Sequence, residues 1–178
     1  MRHKYMPKDG RAMYVFLCIM SLVFFLLSSS VVPFLRSDPA APSGDILFCF
    51  VCCIPAFVPR KSAVVFALVL GFLSDLFINM PRSFSPVVFV LSVLIASYLY
   101  GFFSRIGSLV MAVCALACFV LRAAVDTFAV MAQYEGSTAF GVLAKVTFPA
   151  LIINFAFAIV ISFLLRVIVR KFRISSVN

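Results

Sequence analysis

Six apolar runs make up most of this chain, and most of its charged residues lie outside them, in the breaks and the two tails. They cover 12–32, 45–59, 62–80, 87–103, 108–133 and 142–165. An α-helix needs about 20 apolar residues to cross a hydrocarbon core near 30 Å thick. A chain of 178 residues therefore has room for six such segments and short loops, and for no separate soluble domain. Composition agrees: 65% of residues are apolar and 12% charged, against about 45–50% and about 25% in soluble domains. A soluble domain, a disordered chain and a fibrous repeat are all excluded. The expected class is an all-α integral membrane protein with six transmembrane helices, the second one short.

Residues 45–59 test that count. About 15 helical residues reach only about 22 Å, and Pro55 lies among them. Charge distribution decides whether they cross. If they do, Arg2, Lys4, Lys8, Arg11, Arg60, Lys61, Arg105, Arg166, Arg170, Lys171 and Arg173 fall on one side of the membrane, and Arg36, Arg82 and Lys145 on the other. If they do not, the asymmetry vanishes. Basic loops stay on the cytoplasmic side, so both termini are expected there. The net charge of +9 then needs no nucleic acid to explain it. Tyr14, Tyr98, Tyr100 and Tyr134 fall near the expected interfaces, where a ring with a polar tip is favoured. The first run exceeds the usual apolar length of a signal peptide and is read as a retained span.

Ionisable groups inside a span are costly and face protein or water. Asp75 follows Gly71 by one turn, and a glycine there lets another helix come close. Arg122 and Asp126 share one face of the fifth span. Arg122 lies about 21 Å along it, close to the depth of Asp75. The expectation is that Arg122 bridges Asp75 and Asp126, tying the third span to the fifth. Asn154 in the sixth span is a further candidate for this polar interior. Arg60, Lys61, Arg105, Arg170, Lys171 and Arg173 are the expected cytoplasmic anchors for partners or anionic lipid.

Other chemistry finds little support. Cys49, Cys52 and Cys53 sit close together, and Cys114 and Cys118 are four apart. A disulfide-generating enzyme needs two reactive pairs near the outer face, whereas Cys114 and Cys118 fall toward the cytoplasmic end. These thiols read as small packing residues. The single histidine, His3, precedes the first span, so histidine-based metal sites and general bases are not expected within the membrane. Neither a phosphate-cradling loop nor a nucleophile elbow is present. No cofactor, metal or catalytic residue is expected. With 22 Phe and no Trp, the aromatics read as packing bulk.

The stretch Gly71-Phe-Leu-Ser-Asp75-Leu-Phe resembles the MreD family of bacterial rod shape-determining membrane proteins. Chain length, a short second run ending in proline and a basic pair, an aspartate in the fifth span and a basic tail accord with that resemblance. It covers mainly 46–173 and is strongest over 60–100. It implies a non-enzymatic scaffold in the cytoplasmic (inner) membrane, part of the cell-elongation machinery for peptidoglycan synthesis. The implied partners are the periplasmic membrane-anchored protein MreC, the actin-like MreB, a RodA-type glycosyltransferase and a penicillin-binding transpeptidase. On this resemblance Gly71, Asp75 and Asp126 fall on family motif positions. The family is thought to share its fold with substrate-binding subunits of energy-coupling-type transporters for vitamins or metal ions, and these supply the rival function. Many of them dock a coupling subunit through a small-xxx-small motif in the first span. Here that span is built of large residues such as Met13, Phe16, Leu17 and Met20.

Overall fold

The computed structural model describes residues 10–35, 45–77, 85–103, 107–133, 141 and 148–175. The described residues are helical throughout their length apart from short turns, with no strand among them. The helices are α1 (Gly10–Leu35), α2 (Ile46–Cys53), α3 (Arg60–Phe77), α4 (Ser85–Phe102), α5 (Ser108–Gln133) and α6 (Phe148–Ser175).

Local chemistry sets several of the boundaries. Asp45 caps α2: its Oδ1 accepts the backbone N–H of Phe48 at 2.8 Å, satisfying one of the donors a helix start leaves open. At the other end, Pro55 has no N–H to continue the α ladder. The chain tightens into a 3₁₀ turn over Ile54–Ala56, and Phe57 N–H bonds back to Ile54 O at 3.0 Å. Both α4 and α6 carry a proline, Pro86 and Pro149, at their second residue, where the missing N–H would have had no helical partner. The first helix runs on through Pro33 to Leu35, so that proline does not close it.

Each element reverses the direction of the one before. Tyr14 near the start of α1 hydrogen-bonds Ser62 near the start of α3 (3.0 Å), so these two helices set out from the same end. Tyr100 near the end of α4 donates to Cys52 O near the end of α2 (3.3 Å). Cys49 and Cys53 pair with the Asn154 carbonyl and Ser162 Oγ, so α2 and α6 run parallel. Arg166 Nη1 lies 3.8 Å from where a Cβ on Gly107 would sit, just before α5 begins. The starts of α1, α3 and α5 and the ends of α2, α4 and α6 therefore gather at one end of the bundle, called the basic end below.

The second run departs most from its expected form. Its helix and 3₁₀ turn together rise about 18 Å, too little to cross a hydrocarbon core. It is also the most enclosed segment: every residue of Leu47–Ile54 has no exposed surface. The other helices wrap it. Phe50 stacks on Phe24 of α1 (ring centroids 4.8 Å apart). Phe48 meets Phe89 of α4 at 5.4 Å and Phe119 of α5 at 5.3 Å.

The exterior is as apolar as the interior. Val15 and Leu22 on α1, Val65 and Phe72 on α3, Leu109 and Val120 on α5, and Ile152 and Phe163 on α6 all face outward. Two helical stretches, Ser85–Phe102 and Phe148–Val169, are long and apolar enough to cross a membrane; Met13–Ser29 and Leu109–Val125 are shorter apolar stretches.

Candidate functional site

Polar groups from three elements converge above the enclosed α2. Asp45 contributes its cap carboxylate and its backbone N–H, α5 contributes Arg122 and α6 contributes Asn154. Arg122 Nη1 lies 2.7 Å from Asp45 Oδ2, forming an ion pair. The Asp45 N–H donates to Asn154 Oδ1 at 2.6 Å, and Cys49 Sγ donates to the Asn154 carbonyl at 3.5 Å.

Aromatic rings complete the seat of the guanidinium. Its Cζ stands 4.7 Å from the Phe48 ring centre and 5.7 Å from that of Phe89. A ring face attracts a cation within about 6 Å. Among the described residues, the Asp45 carboxylate and two ring faces thus hold Arg122 in a largely apolar body. Because Asp45 also caps α2, a single side chain both starts the central helix and neutralises the arginine. The node is nearly closed, with side-chain exposures of 17% at Arg122 and 21% at Asp45.

This geometry corrects the Asp75 arm of the expected bridge. Arg122 pairs with Asp45, and no ion pair joins it to Asp75 among the described residues. The reason is lateral placement: α3 packs chiefly on α4, α5 packs chiefly on α6 and α4, and α2 occupies the centre. Equal depth along two helices does not make them neighbours. Asp45 itself was missed as a site residue, being read only as the first residue of an apolar run. Its signal was present: an aspartate followed at once by an apolar helix is a capping pattern. Asp126 follows Arg122 by one turn of α5, and its side chain lies outside the described residues.

Gly71 and Asp75 form a separate feature on α3. A Cβ added to Gly71 would stand 2.5 Å from Pro86 Cα and 2.8 Å from Pro86 N, so only glycine admits the α4 backbone there. Asp75, one turn further, is half-buried. No hydrogen bond or ion pair reaches it among the described residues.

The six basic residues expected to serve as anchors fall in different places. Arg60 and Lys61 are exposed at the basic end. The last turns of α6, which hold Arg170, Lys171 and Arg173 in sequence, run to that same end; their side chains lie outside the described residues, as does the whole of Arg105. Cys49, Cys52, Cys53, Cys114 and Cys118 are buried free thiols, and Cys18 is an exposed one. Among the described residues no group of three or more His, Cys, Asp or Glu is arranged to hold a metal ion. No family model, curated protein or solved structure matches the chain.

Proposed function

We propose that this chain is a multi-pass protein of the bacterial cytoplasmic membrane, a non-enzymatic scaffold of the cell-elongation machinery that resembles MreD and binds an MreC-like partner. A RodA-type glycosyltransferase, a penicillin-binding transpeptidase and MreB are further partners on this reading. Residence in lipid is supported by an exterior of large apolar side chains on α1, α3, α5 and α6, since soluble monomers rarely expose apolar patches beyond a few hundred Å². Six embedded segments with both termini in the cytoplasm are supported by the alternation of helix direction. The shortness of α2 does not upset that count, because the chain still reverses at each end of it. Arg60, Lys61 and Arg166 then stand on the cytoplasmic side, as the positive-inside rule requires.

The observation that carries the scaffold reading is the construction of α3. Gly71 locks this helix against Pro86, and one turn on the helix carries a carboxylate with no ion pair among the described residues, beside exposed Phe72 and Leu76. This is the segment in which the resemblance to MreD is strongest, and it suits a helix that receives another protein.

The rival reading, a substrate-binding subunit of an energy-coupling-type transporter, is favoured by one observation: the Asp45–Arg122–Asn154 node inside the bundle. Affinity purification from the native host in mild detergent separates the two. The expected co-purifying set is an MreC-like periplasmic protein with wall-synthesis enzymes. A pair of ATPases with a coupling membrane subunit would overturn the scaffold reading in favour of the transporter.

A further inference from the structure

Two carboxylates stand at nearly the same height in this bundle, and they are treated differently. Asp45 meets Arg122, which lies about 21 Å along α5 from the basic end. Asp75 lies about 22 Å along α3 from Arg60, half-buried, with no hydrogen bond or ion pair among the described residues. Arg122 is already engaged by Asp45 and seated over the rings of Phe48 and Phe89.

Helical spacing puts Asp75 at the edge of an uncovered face. Phe72 (56% exposed) precedes it by three residues, and Leu76 (73%) follows it. Leu68 lies on the same side, two turns earlier. The flank on the other side of Asp75 is Gly71, sealed against Pro86. In water a half-exposed carboxylate needs no partner. In hydrocarbon it does, and such groups pair with one another or face the protein interior. No counter-charge faces it among the described residues, and on the reading of the chain as a membrane scaffold that role falls to another molecule.

Depth and sign narrow what that molecule is. A position about 22 Å from the cytoplasmic end of α3 lies within a hydrocarbon core near 30 Å thick, away from the amines of lipid headgroups. A second copy of this chain docked through the same face would set Asp75 against Asp75, because a two-fold interface pairs a patch with itself. We propose that the outer face of α3 around Leu68, Phe72, Asp75 and Leu76 receives a partner's membrane-spanning helix that carries a Lys or Arg at matching depth. Asp75 supplies the polar anchor, and the apolar residues supply the packing. This inference rests on the membrane-scaffold reading.

The test is photo-crosslinking in the native host. A photoreactive residue replaces Phe72 or Leu76, with Leu109, Val120 and Phe163 on other exposed faces as comparison sites. Positions 72 and 76 are expected to capture one integral membrane protein with a basic residue inside a span. Asp75→Asn is expected to cut that adduct at least fivefold at an unchanged membrane level of the protein. Asp75→Glu, which keeps the charge, is expected to retain it, so a general folding defect is separable. Asp75→Lys combined with an acidic replacement of the partner's cation is expected to restore it. The proposal is overturned by an adduct indifferent to Asp75→Asn, by an adduct with a second copy of this chain, or by capture of lipid alone at 72 and 76. Capture of a partner only at the comparison sites overturns the proposal and leaves the scaffold reading standing. Capture of no membrane protein at any site overturns both.

Discussion

Arg122 and Asp45 meet at 2.7 Å, and through that contact the fifth helix is joined to the start of the shortest one. Asp45 has two separable duties, capping α2 through Oδ1 and facing Arg122 through Oδ2. Asp45→Asn keeps a cap acceptor and loses the charge; Asp45→Ala loses both. Breaking the pair is expected to cost about 2 kcal/mol, below the range for fully buried pairs because both groups keep some exposure. The alanine variant is expected to lose about 1 kcal/mol more through the missing cap. Unfolding of the detergent-solubilised protein by denaturant measures both, and equal losses would mean the cap contributes nothing.

Gly71 and Gly101 should respond in opposite senses to the same change. Gly71→Ala drives a methyl into Pro86 backbone, which cannot move aside without parting α3 from α4. The expected loss is about 1–3 kcal/mol, the range for overpacking. Gly101→Ala meets nothing within 4 Å and is expected to be neutral or to gain up to about 1 kcal/mol from helix propensity. An unchanged or raised melting temperature for Gly71→Ala would contradict the close approach at Gly71.

Asn154 is buried, and its Oδ1 is the acceptor for the Asp45 N–H. Asn154→Leu leaves that N–H without its acceptor inside an apolar body. The expected loss is about 1–3 kcal/mol, the desolvation penalty of an orphaned donor. Its effect should not add to that of Asp45→Ala, because both variants disturb one node. Full additivity in a double-mutant cycle would show the two residues acting independently.

The direction of the helices is testable without a partner. In the native chain Cys18 lies on the apolar exterior and five cysteines are buried, so a membrane-impermeant maleimide has little to react with. Lys61→Cys adds one exposed thiol at the basic end. Strong labelling is expected in inverted membrane vesicles and little in right-side-out vesicles. The reverse pattern would invert the assigned topology.

Helix positions were legible because most apolar runs end at or near proline, glycine or charge; α5 spans its run at 108–133, whereas α6 continues past 165 to Ser175. Within the site, Arg122 and Asn154 stood out because polar groups in apolar runs are few. Their partner did not, for a geometric reason. Sequence reports how far along a helix a residue lies, but lateral neighbours depend on how helices pack around one another. Arg122 was therefore matched by depth to Asp75, while the insertion of α2 between the outer helices gave it Asp45. The run at 45–59 was hard to interpret because an apolar stretch enclosed by protein and one facing lipid have the same composition.

The enclosure of α2 also bears on the order of assembly. Of the helices that wrap it, only α1 precedes it in the chain; α4, α5 and α6 are synthesised afterwards. When the ribosome has just completed α2, neither Phe89 and Phe119 for Phe48 nor Arg122 for Asp45 yet exists. On the proposed membrane reading, a segment this short cannot hold itself across the bilayer in the meantime. The centre of the molecule is consequently the last part to close, and a chain truncated before α5 has α1 and α4 against α2 but lacks Phe119, Arg122 and the whole of α6 to shut it in.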